Sequence, residues 1–225
     1  MWCIPKITQE FIAKMEDVLT LYARPYDPKE PVLCFDETSK QLLRETRTGI
    51  PCAPHRPRRI DHEYERHGTR NIFMTVEPKG GYRSTKATAR RTKIDFSEEI
   101  RRIIRLPRYR EARKIHIVLD NLNTHGERSL NERFGEKETR RMMRRVSFHH
   151  TPKHASWLNM AEIELSVMDR QCTKKRIPSS EALTKDLTAW QVARNRARAI
   201  INWSFTTADA RKKFKYSQRG KDKIK

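Results

Sequence analysis

The sequence predicts an α/β fold in which helices pack against a mixed β-sheet. Two apolar runs, at 31–37 and 114–120, each end in acidic residues and are typical of strands buried on both faces. Helical and strand patterns alternate between and after these runs, which favours a sheet that includes parallel neighbours. The chain has 225 residues, enough for one domain of intermediate size.

Charge is the strongest signal in the composition. The 49 Lys and Arg against 28 Asp and Glu leave a formal net charge of +21, which indicates binding to nucleic acid. Composition alone does not separate an enzyme that acts on DNA from an RNA-binding or packaging protein. Four scattered cysteines form no C-x-x-C pair, and no apolar stretch reaches the roughly 18 residues of a membrane helix. We therefore expect a soluble protein in a reducing, intracellular compartment.

Residues up to 88 predict one helix followed by three strands. Apolar residues at helical spacing, ending before Tyr26-Asp27-Pro28, predict an N-terminal helix. After the first buried strand, 44–68 is predicted as a basic loop because it is rich in Pro, Arg and His and has no period. Strands at 71–76 and 82–88 follow, joined by a hairpin turn at Gly80-Gly81.

The rest of the chain predicts alternating helices and strands. A helix capped by Ser97 ends before Pro107, and the second buried strand follows at 114–120. The later predictions are a helix at 129–134, a strand at 145–150, and helices at 156–172 and 180–203. The predicted domain division is an N-terminal helix and linker at 1–28, the main domain at 29–210 and a basic tail at 211–225.

The two buried strands point to a candidate site. Asp36 and Asp120 follow matched apolar runs, and parallel neighbouring strands would place them together at one edge of the sheet. Each aspartate alone would more often cap a strand end or a turn. Like charges at one edge repel each other, and a hard divalent cation such as Mg²⁺ relieves that repulsion through carboxylate ligands.

A third carboxylate is expected from the helix that begins at Ser156. Apolar residues surround this helix, so periodicity leaves Glu162 and Glu164 both open. Glu37 follows Asp36 directly and points to the opposite face of its strand, so we expect it to be structural and paired with an arginine.

Three ordered motifs carry a resemblance to a known family. They are CFDE at 34–37, VLDNLNTH at 118–125 and HHTPKHASWLNMAEIE at 149–164, and the chain closes with NWSFTTADARKKF at 202–214. Together they resemble bacterial insertion-sequence transposases related to the mariner superfamily, over nearly the whole chain. The spacing between the second and third motifs is longer than is typical of the eukaryotic mariner branch.

The resemblance implies a ribonuclease-H-like fold with a DDE catalytic domain at 29–210. Its catalytic and metal-binding triad would be Asp36, Asp120 and Glu162, because the family's glutamate closely follows a Leu-Asn pair. It further implies two Mg²⁺ ions, for which Mn²⁺ can substitute, and both cleavage and strand transfer of DNA. The expected partners are element ends and target DNA, with no membrane and with a homodimer on the DNA. The expected location is the bacterial cytoplasm, at the nucleoid.

Other interpretations remain open from the sequence. A truncated, inactive remnant that binds nucleic acid non-specifically would share the composition, and a general nuclease would share the fold without strand transfer. Asn121 and His125 either orient a metal-bound water or contact DNA, or they stabilise a turn. Basic clusters favour DNA contact over a solvated helix face; they are Arg101-Arg102, Arg105, Arg108, Arg110, Arg140-Arg141 and Arg144-Arg145.

Overall fold

A five-stranded mixed sheet organises the protein, which a computed structural model describes at residues 7–121 and 125–216. In chain order the strands are β1 (Val32–Glu45), β2 (Tyr64–Glu77), β3 (Tyr82–Thr88), β4 (Ile115–Leu119) and β5 (Val146–His150). Their order in the sheet is β3-β2-β1-β4-β5. Strand β1 is antiparallel to β2 and parallel to β4, so the predicted mixed sheet is confirmed.

Helices cover both faces of this sheet. They are α1 (Gln9–Ala23), α2 (Lys93–Ile104), α3 (Glu127–Met143), α4 (Met160–Met168), α5 (Ser180–Arg196) and α6 (Thr207–Phe214). Successive residues of a strand face opposite sides, so Leu33 and Phe35 pack with α2 and α3, whereas Cys34 packs with α1 and α4. Helix α5 packs on the same side as α4, against Ile72 and Met74 of β2. No helix in the described ranges is long and apolar enough to cross a membrane.

The N-terminal and C-terminal helices pack on each other. Helix α1 buries the apolar positions that predicted it, and Phe11 meets the ring of Phe214 edge to face at 6.2 Å between centroids. Arg211 donates to Glu16 across the same contact at 2.8 Å. Helix α6 spans the predicted boundary between the main domain and the basic tail, and residues 217–225 of that tail lie outside the described part of the chain.

Strands β1 and β2 are both longer than the sequence predicts. They pair with each other from Cys34 and Val76 out to Glu45 and Tyr64, so the basic loop shrinks to 46–63. The far end of this two-stranded arm is exposed, including all of 64–69. Backbone hydrogen bonds hold such an arm without burial, so its residues show no apolar alternation that would reveal the strands.

Local capping moves the start of α2. The prediction that Ser97 caps this helix is wrong, because the N-cap is Thr92, five residues earlier, which forms a capping box with Asp95. Ser97 lies inside the helix and donates its hydroxyl to the Lys93 carbonyl at 2.7 Å. In α3, Gly135 has a φ of +77°, and this kink lets helical structure continue past the predicted end to Met143.

The predicted helices at 156–172 and 180–203 differ from the observed elements in their bounds. A 3₁₀ turn at Ser156–Leu158 precedes α4, and a π-helical turn at Asp169–Thr173 follows it. Helix α5 ends at Arg196 because the chain turns at Arg198, which has a φ of +45°, and Ile201 then donates to the Pro78 carbonyl at 3.0 Å. Trp203 therefore lies outside the helix and contradicts the prediction.

A buried ion pair fixes α4 to its neighbours. Glu164 is fully buried and accepts from Arg83 of β3 at 2.8 Å and from Arg194 of α5 at 2.9 Å. Burial by itself would raise the pKa of Glu164, but the two guanidinium groups outweigh it and lower that pKa. The orientation of α4 on the sheet therefore depends on this cluster.

Glu164→Gln is expected to lower the free energy of unfolding by about 3–5 kcal/mol, because it leaves the buried Arg83 and the partly buried Arg194 without a counter-charge. The matched control is Glu162→Gln, two residues away on the exposed face, which should change stability by no more than about 0.5 kcal/mol. Urea unfolding of both variants tests this. Equal losses in the two variants would contradict the role assigned to the ion pair.

Candidate active site

The two predicted aspartates meet where β4 ends and β1 continues. The parallel register pairs Leu33 with Ile117 and Cys34 with Val118. Two positions further along each chain stand Asp36 and Asp120, so the same register places them side by side at about the 4.8 Å spacing of neighbouring strands. Asp36 lies within β1 rather than at its end, because β1 runs on along β2 after its parallel partner stops.

Negative charge is concentrated around Asp36. The pKa of this carboxyl is raised to about 7, chiefly by burial and in addition by the carboxylates of Asp120, Glu37 and Glu162, while a backbone hydrogen bond opposes the rise. That hydrogen bond comes from the Glu37 N–H, which donates to Asp36 Oδ1 at 2.8 Å. The aspartate therefore lies within electrostatic reach of the other acidic side chains, including Glu162 of α4.

Asn159 places the start of α4 beside Asp36. Its buried side-chain amide donates to the Phe35 carbonyl at 2.8 Å, and its carbonyl oxygen accepts from the Ala161 N–H at 3.2 Å as the helix N-cap. The Tyr22 hydroxyl donates to the neighbouring Leu158 carbonyl at 2.8 Å. The first turn of α4, which carries Glu162, is therefore tied to the strand segment that carries Asp36.

The two glutamates that periodicity left open have different surroundings. Glu162 is exposed in the first turn of α4 and faces the acidic edge closely enough to affect Asp36. Glu164 is fully buried between Arg83 and Arg194 and has its charge balanced there. Of the two side chains, Glu162 is the one free to take part in chemistry with Asp36.

His125 connects Asp120 to Glu37. Its buried ring donates from Nδ1 to Asp120 Oδ1 at 2.5 Å, and its Nε2 lies 3.1 Å from Glu37 Oε2 in an ion pair. Burial would lower the pKa of His125, but the hydrogen bond to Asp120 and the charge of Glu37 outweigh it and raise the pKa to about 9. Glu37 also has the predicted arginine partner, Arg91, at 3.9 Å.

The end of β5 supports the segment around Asp120. Thr151 donates its backbone N–H to the Leu119 carbonyl at 2.9 Å, and the His150 ring contacts the His125 carbonyl at 3.0 Å through Nε2. Of the VLDNLNTH motif, 122–124 lie outside the described residues.

The sequence did not predict the contacts that Asn159 and Glu37 make at this site. Asn159 belongs to the Leu-Asn pair of the third motif, which the resemblance used only to choose the glutamate. Glu37 belongs to the CFDE motif and was expected to be structural. The motifs contained both residues, but their partners, Phe35 and His125, come from distant parts of the chain.

The donor chemistry of this edge fits a hard divalent cation. Carboxylate oxygens are the ligands that Mg²⁺ prefers, and the surplus negative charge around Asp36 is the kind that a bound cation neutralises. Within residues 7–121 and 125–216, no three His, Cys, Asp or Glu side chains converge closely enough to hold an ion. The carboxylates would have to draw closer together to enclose a cation.

A sequence profile of the DDE superfamily endonucleases matches residues 31–184, a range that includes all three predicted triad residues. The chain belongs to the DDE superfamily endonucleases. This confirms that the chain belongs to the DDE type that the resemblance of the three motifs implies. No curated protein sequence matches this DDE-family chain.

Solved structures similar to this DDE-family chain include complexes of the Mos1 transposase. The Mos1 paired-end complex with the left transposon end is 15% identical, with a TM-score of 0.54, and the match covers 89% of this chain and 61% of that one. The Mos1 mariner paired-end complex with Mn is 15% identical, with a TM-score of 0.54 and coverage of 88% and 60%. The Mos1 strand transfer complex is 13% identical, with a TM-score of 0.53 and coverage of 88% and 59%.

These matches confirm the ribonuclease-H-like fold that the resemblance implies. The chain spans about 60% of the length of the Mos1 chains it matches.

Asp36→Asn is expected to stabilise the metal-free protein at high pH. The folded state raises the pKa of Asp36 from 3.8 to about 7, so it binds more protons than the unfolded state between these values. The stability of the parent should therefore fall as pH rises through this window, and above about pH 7 the variant should be more stable by roughly 1–4 kcal/mol. Urea unfolding in EDTA from about pH 4 to pH 8 measures this. Parallel stability curves for parent and variant would contradict it.

Proposed function

We propose that this chain is the catalytic domain of a transposase that cuts and joins DNA through Asp36, Asp120 and Glu162. The observation that carries the proposal is the parallel register that brings Asp36 and Asp120 to one edge of the sheet, with Glu162 close enough to raise the pKa of Asp36. The parallel register supplies the two aspartates, and Asn159 anchors the helix that supplies the glutamate. Membership of the DDE superfamily endonucleases supports this choice of chemistry.

Two Mg²⁺ ions, or Mn²⁺ in their place, are the proposed cofactors. When bound, such a pair supplies activation of the attacking oxygen and stabilisation of the leaving oxygen at phosphorus. The chain's own contribution is to hold three oxygen-donor side chains at one edge and to leave Glu162 exposed so that it can complete the set. One of the related solved structures is a paired-end complex with Mn and another with Mg, which supports the choice of metal.

The proposed partners are element ends and target DNA, and the net charge of +21 supports them. The structure divides the basic clusters into two groups. Arg101 and Arg102 bind Glu98 and Glu99, Arg108 binds Glu77, and Arg145 binds backbone carbonyls. The remaining arginines of these clusters are exposed and are the proposed phosphate contacts, namely Arg105, Arg110, Arg140, Arg141 and Arg144.

We also propose an oligomeric state and a cellular location for this protein. Cutting two element ends and joining them to one target favours a homodimer on the DNA. A bacterial cytoplasmic location, at the nucleoid, fits the insertion-sequence resemblance of the motifs.

Asp120→Asn is expected to abolish metal-dependent cleavage and strand transfer, with a rate loss on the order of 1,000-fold or more, because it removes a proposed metal ligand. The substrate is duplex DNA carrying the inverted repeats that flank the coding sequence, incubated with Mg²⁺, Mn²⁺ or EDTA. Glu162→Gln should behave like Asp120→Asn. The matched control is Asp186→Asn, which should leave the rates unchanged, since Asp186 of α5 pairs with Lys175 and is not a proposed metal ligand.

The assay also separates the other interpretations. Binding with a steep salt dependence and no cutting by the parent chain would contradict the proposal and favour an inactive nucleic-acid-binding remnant. Cutting without joining would favour a general nuclease of the same fold. Cleavage that persists in EDTA or in Asp120→Asn would contradict the proposed site itself.

A further inference from the structure

His125 occupies a special place beside the proposed site. Its side chain is 2% exposed, and each of its two ring nitrogens faces a carboxylate from a different part of the chain. Nδ1 donates to Asp120 Oδ1 at 2.5 Å, and Nε2 lies 3.1 Å from Glu37 Oε2. The imidazole therefore joins Asp120, a proposed cation ligand, to Glu37, which is not one.

The ring of His125 is held in one orientation by its packing. It stacks on Phe96 of α2 at 4.8 Å between centroids with an interplanar angle of 28°, and it meets Phe35 edge to face at 5.8 Å. Both phenylalanines belong to the core between the sheet and α2. The His125 carbonyl also contacts the His150 ring, so the backbone is held as well as the side chain.

Glu37 acts on the site through His125 and not directly. Consecutive residues of a strand point to opposite faces, so Glu37 lies on the α2 side of the sheet while Asp36 lies on the α4 side. The Glu37 side chain is only 4% exposed, and its contact with Arg91, at 3.9 Å, reaches a largely exposed guanidinium. Its Oε2 makes no hydrogen bond within the described residues, so the nearby imidazole is its principal compensation for burial.

From this geometry we infer that Glu37 and His125 form a positioning pair that fixes the carboxylate of Asp120. The imidazole holds Oδ1 and so aims Oδ2 at the edge shared with Asp36, where the proposed function places a cation. The inference rests on that proposed function. Outer contacts of this kind orient ligating side chains, and their loss typically lowers metal affinity or activity by about 10–100-fold.

Two amide substitutions of His125 separate positioning from a purely structural role. In His125→Asn the amide nitrogen stands near the place of Nδ1 and can still donate to Asp120. In His125→Gln the longer side chain places its amide nitrogen near the position of Nε2. This variant therefore keeps the contact with Glu37 and loses the hydrogen bond to Asp120. Both replacements are polar and remove the same aromatic stacking on Phe96, so a packing effect would be similar in the two variants.

The experiment measures Mn²⁺ binding to the full chain by calorimetry, together with metal-dependent DNA cleavage and the melting temperature. We expect His125→Gln to lower Mn²⁺ affinity and the cleavage rate by about 10–100-fold, and His125→Asn to retain most of both. Glu37→Gln should give an intermediate loss, since His125 would keep its bond to Asp120 without its second carboxylate. The matched control is His149→Gln, which by the same reasoning loses the Nδ1 contact of another histidine with an aspartate, at 2.7 Å, and that aspartate, Asp17, is not a proposed ligand.

Equal losses in the Asn and Gln variants, or Mn²⁺ affinity that neither variant changes, would overturn the positioning role. A loss in His149→Gln as large as that in His125→Gln would also overturn it. These results differ from failure of the proposed function, in which the parent chain itself neither binds Mn²⁺ nor cuts DNA. If a variant melts below the assay temperature, Mn²⁺ binding is compared at a lower temperature at which both His125 variants are folded.

Discussion

The parallel pairing of β1 with β4 is the constraint on which the rest of this structure depends. It places Asp36 and Asp120 next to each other at the edge of a sheet whose faces are covered by helices. Two carboxylates in such a place repel each other and lose hydration, which is why the pKa of Asp36 rises to about 7 when burial acts together with the neighbouring acidic groups. Two carboxylates placed in this way destabilise the folded state unless a bound cation or a set of hydrogen bonds offsets their charge.

The surrounding polar contacts fix the elements that carry the three carboxylates, and one of them reaches Asp120 itself. Asn159 joins the first turn of α4 to the backbone beside Asp36, and the buried cluster around Glu164 fixes the same helix to β3 and α5. On the other face of the sheet, His125 connects Asp120 to Glu37. The exposed carboxylate of Glu162 therefore stands on a rigid helix, while the two aspartates stand on paired strands. Rigid placement of this kind is what metal-dependent chemistry requires.

The sequence predicted the features that depend on local pattern. The apolar runs before Asp36 and Asp120 identified both strands, and the third motif pointed to Glu162. The arm at the ends of β1 and β2 was missed because backbone pairing without burial leaves no apolar period. The contacts of Asn159 with Phe35 and of His125 with Glu37 were missed because the two partners are distant in the chain. Pairing of distant segments is set by tertiary packing, which a single sequence does not display.

Anomalous X-ray diffraction from crystals of the full chain grown with Mn²⁺ and end DNA would locate the bound cations. We expect Mn²⁺ between the carboxylates of Asp36 and Asp120, with Glu162 drawn in as the third protein ligand and His125 still bound to Asp120. Mn²⁺ bound elsewhere, or this edge without Mn²⁺ at saturating concentration, would contradict the claim that the parallel pairing of β1 and β4 builds a cation site.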